Sequence, residues 1–183
     1  MIMIVNEALE HFSARETLLD QCFGEDRHLK TCERLREGRS PVFAFVALDE
    51  HGTLVGTVRL WLVGDEAGKP SLLLGPLAVS ANVRGLKIGD RLMRHALNQA
   101  AAFGHGSVVL VGDLAYYARF GFLSGKLDRA ALPGPFERHR FLGLDLLSGR
   151  TSALRGELKA MEDTVATMPV DADMGARDFA LAG

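Results

Sequence analysis

At 183 residues with 48% hydrophobic content, the chain is long enough for one domain with a real core and an appendage. A net charge of −2 argues against a broad nucleic-acid-binding face. The start M-I-M-I-V-N-E lacks a signal peptide's basic region and no apolar run reaches the ~20 residues of a membrane span; with Cys22 and Cys32 in no metal or redox spacing, a cytoplasmic protein with reduced thiols and no membrane partner is expected.

Residues 1–5 form a candidate first strand. The spacing of Phe12, Leu18, Leu19 and Cys22 predicts an inward-facing helix over 10–22, with Ser13 as the cap of an alternative, later start. After Gly24 a charged helix is predicted over 26–37, with Leu29, Cys32 and Leu35 inward and Gly38 ending it. Residues 42–48 and 54–63 are rich in β-formers and flank Asp49-Glu50-His51-Gly52, which makes a hairpin. Residues 64–71 read as a polar loop. The stretch 72–79 reads as a buried strand interrupted by Gly75-Pro76. Proline removes a ladder donor, so an internal strand with a bulge is expected, its freed backbone groups available to bind something else. Residues 88–103 form the clearest helix: Ile88, Leu92, Met93, Ala96, Leu97, Ala100 and Phe103 make one apolar stripe, capped by Gly104. Residues 107–111 form a wholly apolar strand of the parallel, two-side-buried kind, so strand, helix and strand make a right-handed crossover. A short helix over 114–119 and a last strand over 140–147 complete a domain spanning 1–147. Residues 148–183 are a C-terminal extension that the pattern does not assign: 154–164 reads as a helix or a strand arm, and 171–183 as a loosely held tail.

Two segments carry chemistry. In the loop 81–90, Asn82, Arg84 and Lys87 surround Gly85 and Gly89 just before the clearest helix. Unpaired N–H groups at a helix start, the positive dipole end and two cations suit a pyrophosphate, although turn geometry alone explains many such loops. The loop is neither a Walker A loop nor a dinucleotide fingerprint. Tyr116 and Tyr117 are either core-lining aromatics or a proton donor near the same sheet edge, and Asp113 before them has the position of a helix cap. His11, His28, His51, His95, His105 and His139 have no metal spacing, and Ser71, Ser80 and Ser107 lack a nucleophile-elbow context, so neither a metal site nor serine hydrolysis is expected. Arg138-His139-Arg140 is a small basic cluster, either a solvated edge or a contact to an acidic group.

The broken strand Gly75-Pro76-Leu77-Ala78-Val79, then Arg84-Gly85-Leu86-Lys87-Ile88-Gly89, then Tyr116-Tyr117-Ala118-Arg119-Phe120-Gly121-Phe122 resemble, in this order, the motifs of the GNAT superfamily of acyl-CoA-dependent N-acyltransferases. The resemblance covers roughly residues 42–147 and is strongest to a bacterial subgroup of predicted N-acetyltransferases. It implies an α/β fold: a mixed, twisted central sheet of about six or seven strands, helices on both faces, and a splayed, bulged central strand. It implies acetyl-CoA as co-substrate, its pantetheine arm along Leu77, Ala78 and Val79 and its pyrophosphate on Arg84, Gly85, Leu86, Lys87, Ile88 and Gly89. Tyr117 occupies the family's general-acid position, where its phenol contacts the cofactor and protonates the leaving thiolate. A phenol pKa near ~10 lies close to a thiol's, so that transfer is nearly balanced.

The Val79 N–H is the expected donor to the thioester oxygen, and Tyr116 the packing residue that faces elsewhere. No carboxylate stands on the splayed strand, where many relatives place a base, so Asp113 is the nearest candidate to orient or deprotonate the amine. Lys87 stands where the family prefers its first glycine. A left-handed lysine costs on the order of 1–2 kcal/mol, so helical φ is expected there, with Gly85 absorbing the turn. The implied reaction is acetyl transfer to a small-molecule or peptide amine by direct attack in a ternary complex, neither cysteine being placed to carry the acetyl group. A non-catalytic acyl-CoA-binding regulatory module and a nucleotide-binding domain of other ancestry stay open, as does a homodimer.

Overall fold

The hairpin of β2 (Phe43–Leu48) and β3 (Leu54–Gly64) lies at the centre of the computed structural model, which describes residues 1–162. Its turn is closed by the Asp49 carboxylate, which accepts from the N–H groups of His51 (2.9 Å) and Thr53 (2.8 Å). Around the hairpin, β1 (Met3–Asn6) pairs antiparallel with β2, and β4 (Pro70–Val79) antiparallel with β3. β5 (Ser107–Val111) lies parallel to β4, and β7 (Phe141–Asp145) antiparallel to β5. The result is a seven-stranded mixed sheet in the order β1-β2-β3-β4-β5-β7, with β9 (Lys159–Ala160) on β3 beyond the end of β2. β6 (Ala130–Ala131) and β8 (Gly156–Glu157) form a separate parallel pair. Pro70, expected in a loop, is the first residue of β4.

One face of the sheet is closed by α2 (Ile88–Ala102), whose Ile88, Leu92, Met93, Ala96 and Ala100 pack on Val58, Leu60, Leu72, Leu74, Val108 and Leu110. Gly56 permits the close approach: a Cβ there would stand 2.9 Å from Leu92 Cδ1 and 3.2 Å from Ile88 Cγ2. The predicted stripe ends early. Phe103 lies past the last helical residue and is 71% exposed, edge-on to Phe43 at 5.4 Å.

The opposite face departs further from the sequence pattern. α1 (Phe12–Phe23) packs Leu18 and Leu19 on Ala78 and Leu54, but Phe12 and Cys22 are exposed and Arg15 is buried in their stead. Arg15 donates to Glu7, which also accepts from Arg59, so an ion network fills this side. His11, not Ser13, precedes the helix, and its Nδ1 accepts from the Ala8 N–H at 2.9 Å. The charged helix expected over 26–37 forms as two 3-10 turns, Glu25–Leu29 and Thr31–Leu35, with Lys30 extended between them and Leu29 83% exposed. The physical reason is tertiary: in the first turn Arg27 donates to Asp20 and Glu16 of α1, and in the second Thr31 donates to the Pro135 carbonyl and Arg34 to that of Pro133, so the two turns are fixed to different neighbours.

After β7 the chain stays on the sheet. Asp145 accepts from the N–H and the hydroxyl of Thr151 (2.7 Å each), and Asp65 accepts from the Arg155 N–H (2.9 Å). Leu154 and Leu158 are buried with Trp61, Leu73 and Phe141. Of the two alternatives for 154–164, strand arms form up to Ala160. The end of that segment and the tail expected over 171–183 lie outside the described residues. No described helix is long and apolar enough to cross a membrane.

Candidate active site

β4 and β5 are paired only at Leu72–Val108 and Leu73–Val109. Beyond these pairs β4 stays with β3 as far as Val79, while β5 stays with β7 as far as Val111–Phe141, so the two strands part and leave an opening. The β3–β4 register shifts between Val58 and Leu60, opposite the cis Gly75-Pro76 peptide, which is the bulge expected from the proline. The Gly75 carbonyl leaves the ladder and accepts from Trp61 Nε1 at 2.7 Å. Further along, the Ser80 N–H bonds across to the Val55 carbonyl of β3 at 2.9 Å. Strand alternation then turns the N–H and C=O groups of Leu77 and Val79 away from β3, towards the opening. Cys22 lies against this wall, its thiol 3.6 Å from the Val79 carbonyl, a placement that sequence spacing gave no reason to expect.

The far end of the opening is bounded by the start of α2. The Ser80 hydroxyl accepts from the Asn82 N–H (3.4 Å) and caps a 3-10 turn over Ala81–Val83. The N–H groups of Gly85, Lys87, Ile88, Gly89 and Asp90 make no hydrogen bond with a described residue, while Arg84, Leu86 and Lys87 are exposed around them. Ile88 is fully buried beneath, so only its backbone is available. Lys87 corrects the expectation of helical φ: it is left-handed (φ 55°, ψ 29°) and is the N-cap of α2. Gly85 is left-handed too (φ 89°), because the chain must turn twice in three residues to enter the helix. The lysine bears a strain on the order of 1–2 kcal/mol that a glycine would not.

The other wall carries the tyrosines. α3 (Leu114–Tyr117) follows β5, and Asp113 caps it by accepting from the Ala115 N–H at 3.0 Å. Tyr117 stands over Gly112, where any Cβ would collide with its ring, and packs edge-on against Phe122 at 5.9 Å. Burial pushes the Tyr117 phenol above its ordinary range, with Arg140 opposing that shift. Tyr116 does not face elsewhere. Its hydroxyl donates to Asp90 Oδ1 (3.3 Å) and lies 2.8 Å from the place of a Cβ on Gly89. Burial, and then the Asp90 charge, push the Tyr116 phenol up to about 12. Arg119 completes this group, 3.6 Å from Asp90 and over the Tyr116 ring at 4.8 Å. Sequence reasoning missed Asp90; the available signal was an acid in the first turn of a helix whose start was already read as an anion site. Arg138 belongs to the framework, donating to the carbonyls of Leu127 (3.0 Å) and Ala130 (2.6 Å).

The opening is thus bordered by the backbone of Leu77 and Val79 and by the start of α2, where Val79 lies 3.6 Å from the place of a Cβ on Gly89; Tyr116 ties α3 to that helix start through Asp90, with the Tyr117 ring edge-on to that of Tyr116 at 4.9 Å. Residues 6–122 match the model of the acetyltransferase (GNAT) family. The chain belongs to this family. It is 36% identical over 143 residues to the protein of Escherichia coli strain K12 named as the uncharacterized N-acetyltransferase YhbS, covering 74% of this chain and 84% of that one. A second protein of that strain, the uncharacterized N-acetyltransferase YjhQ, is 26% identical over 150 residues, 78% of this chain and 82% of that one. The crystal structure of Escherichia coli YhbS in complex with CoA superposes with a TM-score of 0.75 at 26% identity, covering 87% and 89% of the two chains. A GNAT acetyltransferase from Brucella melitensis in complex with acetyl-CoA shares the fold, with a TM-score of 0.63 at 23% identity, over 79% and 88% of the chains. The mixed sheet, the parted central strands and the covering helices are thus those of a GNAT acyltransferase.

Proposed function

We propose that this GNAT protein transfers an acetyl group from acetyl-CoA to an amine by direct attack in a ternary complex. The observation that carries the reading is the opening itself: the backbone of Leu77 and Val79 turned away from β3 on one wall, with only the Cys22 thiol on the Val79 carbonyl, a helix N-terminus at its end, and Tyr117 on the helix that follows the other strand. Such a slot suits a pantetheine arm, whose amides pair with strand backbone as a further strand would. The bare N–H groups from Gly85 to Asp90, with Arg84 and Lys87, suit the pyrophosphate. The CoA complex of YhbS and the acetyl-CoA complex of the Brucella melitensis protein support this choice of cofactor. Use of acetyl-CoA also fits a cytoplasmic protein.

In this reading the amine nitrogen attacks the thioester carbon, and the N–H of Val79 stabilises the oxyanion. As the tetrahedral intermediate collapses the C–S bond breaks, and Tyr117 gives its proton to the sulfur. The raised phenol pKa keeps that proton available throughout the neutral range. Asp113, at the head of the Tyr117 helix, takes the amine's proton through the oxygen its cap does not use or through water.

The test is thiol release from acetyl-CoA across a panel of amines, with the product identified by mass. Amine-dependent release is expected, at one thiol per acetylated amine. A second reading, a non-catalytic acyl-CoA-binding regulatory module, draws on the absence of any carboxylate from β4 and the use of Asp113 as a cap. It predicts a thermal shift with CoA and no thiol release above background.

A further inference from the structure

Acetyl transfer leaves one charged side chain without a role. Arg36 follows the second 3-10 turn, on the face of the sheet opposite α2. Its Nε is buried and has no partner among the described residues, and its ion pair with Glu33 is long, 3.7 Å from Nη1 to Oε2. No side-chain hydrogen bond joins the guanidinium to another described residue, although it carries five N–H donors in a fixed fork. Its Nη2 lies 2.9 Å from the place of a Cβ on Gly75, which only a glycine leaves clear. Gly75 is two residues past Leu73, the last β4 residue paired with β5, so the fork stands at the vertex of the opening. The side chain keeps 13% of its surface exposed, which leaves its tip approachable.

The surroundings make this placement costly. Burial, and then the nearby Arg59, act to depress the Arg36 pKa, while Cys32 and Glu33 oppose them. A guanidinium nevertheless remains charged in a protein. Arg59 offers no relief, being paired with Glu7. On the same face of β3, the fully buried Thr57 also has a hydroxyl Oγ1 without a partner among the described residues. A buried charge short of hydrogen bonds destabilises the free protein, and it is expected where a ligand completes it.

We propose that Arg36 is a binding residue for the acceptor and that the acceptor is an amine bearing a carboxylate. The inference rests on the acetyltransferase reading and deepens it. One guanidinium with a single distant counter-ion suits a monoanion, and its planar fork matches the two oxygens of a carboxylate. A carboxylate held at Gly75 keeps the rest of the acceptor beside the wall formed by Leu77 and Val79, where the thioester is proposed to lie.

The experiment compares amino acids with their C-terminal amides, and with phosphoethanolamine, as acceptors for the wild type, Arg36→Met and Arg36→Lys. The wild type is expected to favour at least one amino acid over its amide by about 10²-fold in kcat/KM. That ratio is expected to fall to within about threefold of unity in Arg36→Met, with partial recovery in Arg36→Lys, which keeps the charge and loses the fork. Equal use of acids and amides by the wild type, an unchanged ratio in Arg36→Met, or a preference for phosphoethanolamine would overturn the proposal. Melting without acceptor gives a second readout: Tm should rise in Arg36→Met, whereas a structural arginine would make it fall. If no amine in the panel is acetylated, the transferase reading fails there, and thermal shifts of the CoA-bound protein with glycine and glycinamide then decide the Arg36 inference. A shift with glycine alone that disappears in Arg36→Met supports it, and no shift with either overturns it.

Discussion

On the α2 face, Ile88, Leu92, Met93, Ala96 and Ala100 meet an apolar sheet across Gly56. On the α1 face, Arg15, Glu7 and Arg59 form an ion network, Arg36 has only a long ion pair to Glu33 and a buried Nε without a partner among the described residues, and two 3-10 turns replace a helix. The first face holds the start of α2 against the end of β4. The second borders the vertex from which the acceptor is proposed to approach. Apolar packing tolerates no ligand and asks for none, whereas buried charge is retained where something binds or where a segment must be fixed individually. The division between cofactor scaffold and acceptor side thus follows the division between the two kinds of burial.

The largest effect on stability is expected from Glu7→Gln. It leaves the Arg15 and Arg59 guanidiniums facing one another without their shared carboxylate, and should cost about 3–5 kcal/mol in denaturant unfolding. A loss below about 1 kcal/mol would mean that the network is screened by solvent. On the other face Leu92→Ala should cost about 2–5 kcal/mol through the cavity it leaves, while the amino acid over amide preference of the remaining folded protein stays unchanged. A changed preference would show that the two faces are coupled.

Lys87→Gly should separate strain from charge at the start of α2. Stability is expected to rise by about 1 kcal/mol as the left-handed strain is relieved, and CoA affinity to fall about two- to fivefold as an exposed cation is lost. The smallest effect concerns Tyr116. Its folded pKa of about 12 lies above the ordinary value near 10, so the folded state holds its proton where the unfolded chain releases it. Its contribution is fully present below pH 10 and is lost as pH rises towards about 12. Tyr116→Phe should flatten that alkaline decline in Tm, and an unchanged slope would assign the decline to other groups.

The legibility of each part in the sequence follows the same division. Apolar periodicity located α2, a hairpin of β-rich segments located β3 and a wholly apolar run located β5, each to within a residue or so, because hydrophobic burial is what forms them. Gly75-Pro76 announced the bulge, since a missing donor in an internal strand has few other outcomes. The α1 face was misread because the template expects apolar residues inward, whereas Arg15 is buried by a partner in another element. The turn at 31–35 depends on carbonyls about a hundred residues away, those of Pro133 and Pro135, beyond the reach of local pattern. The left-handed Lys87 was hidden because glycine or asparagine ordinarily marks such a position. The link from Tyr116 to Asp90 was hidden because it joins two motifs that were read separately.

Acetyl transfer through Tyr117 is tested most directly by kcat of Tyr117→Phe, measured by thiol release at saturating acceptor, beside CoA affinity. The substitution keeps the ring that packs on Gly112 and Phe122 and removes only the hydroxyl. The predicted result is a fall in kcat of about 10²–10⁴-fold with CoA affinity nearly unchanged. Tyr116→Phe, which leaves Asp90 to Arg119 alone at the start of α2, should instead act mainly on CoA binding. A Tyr117→Phe enzyme that keeps its full kcat would contradict the account, because the thiolate would then take its proton from another group or from water.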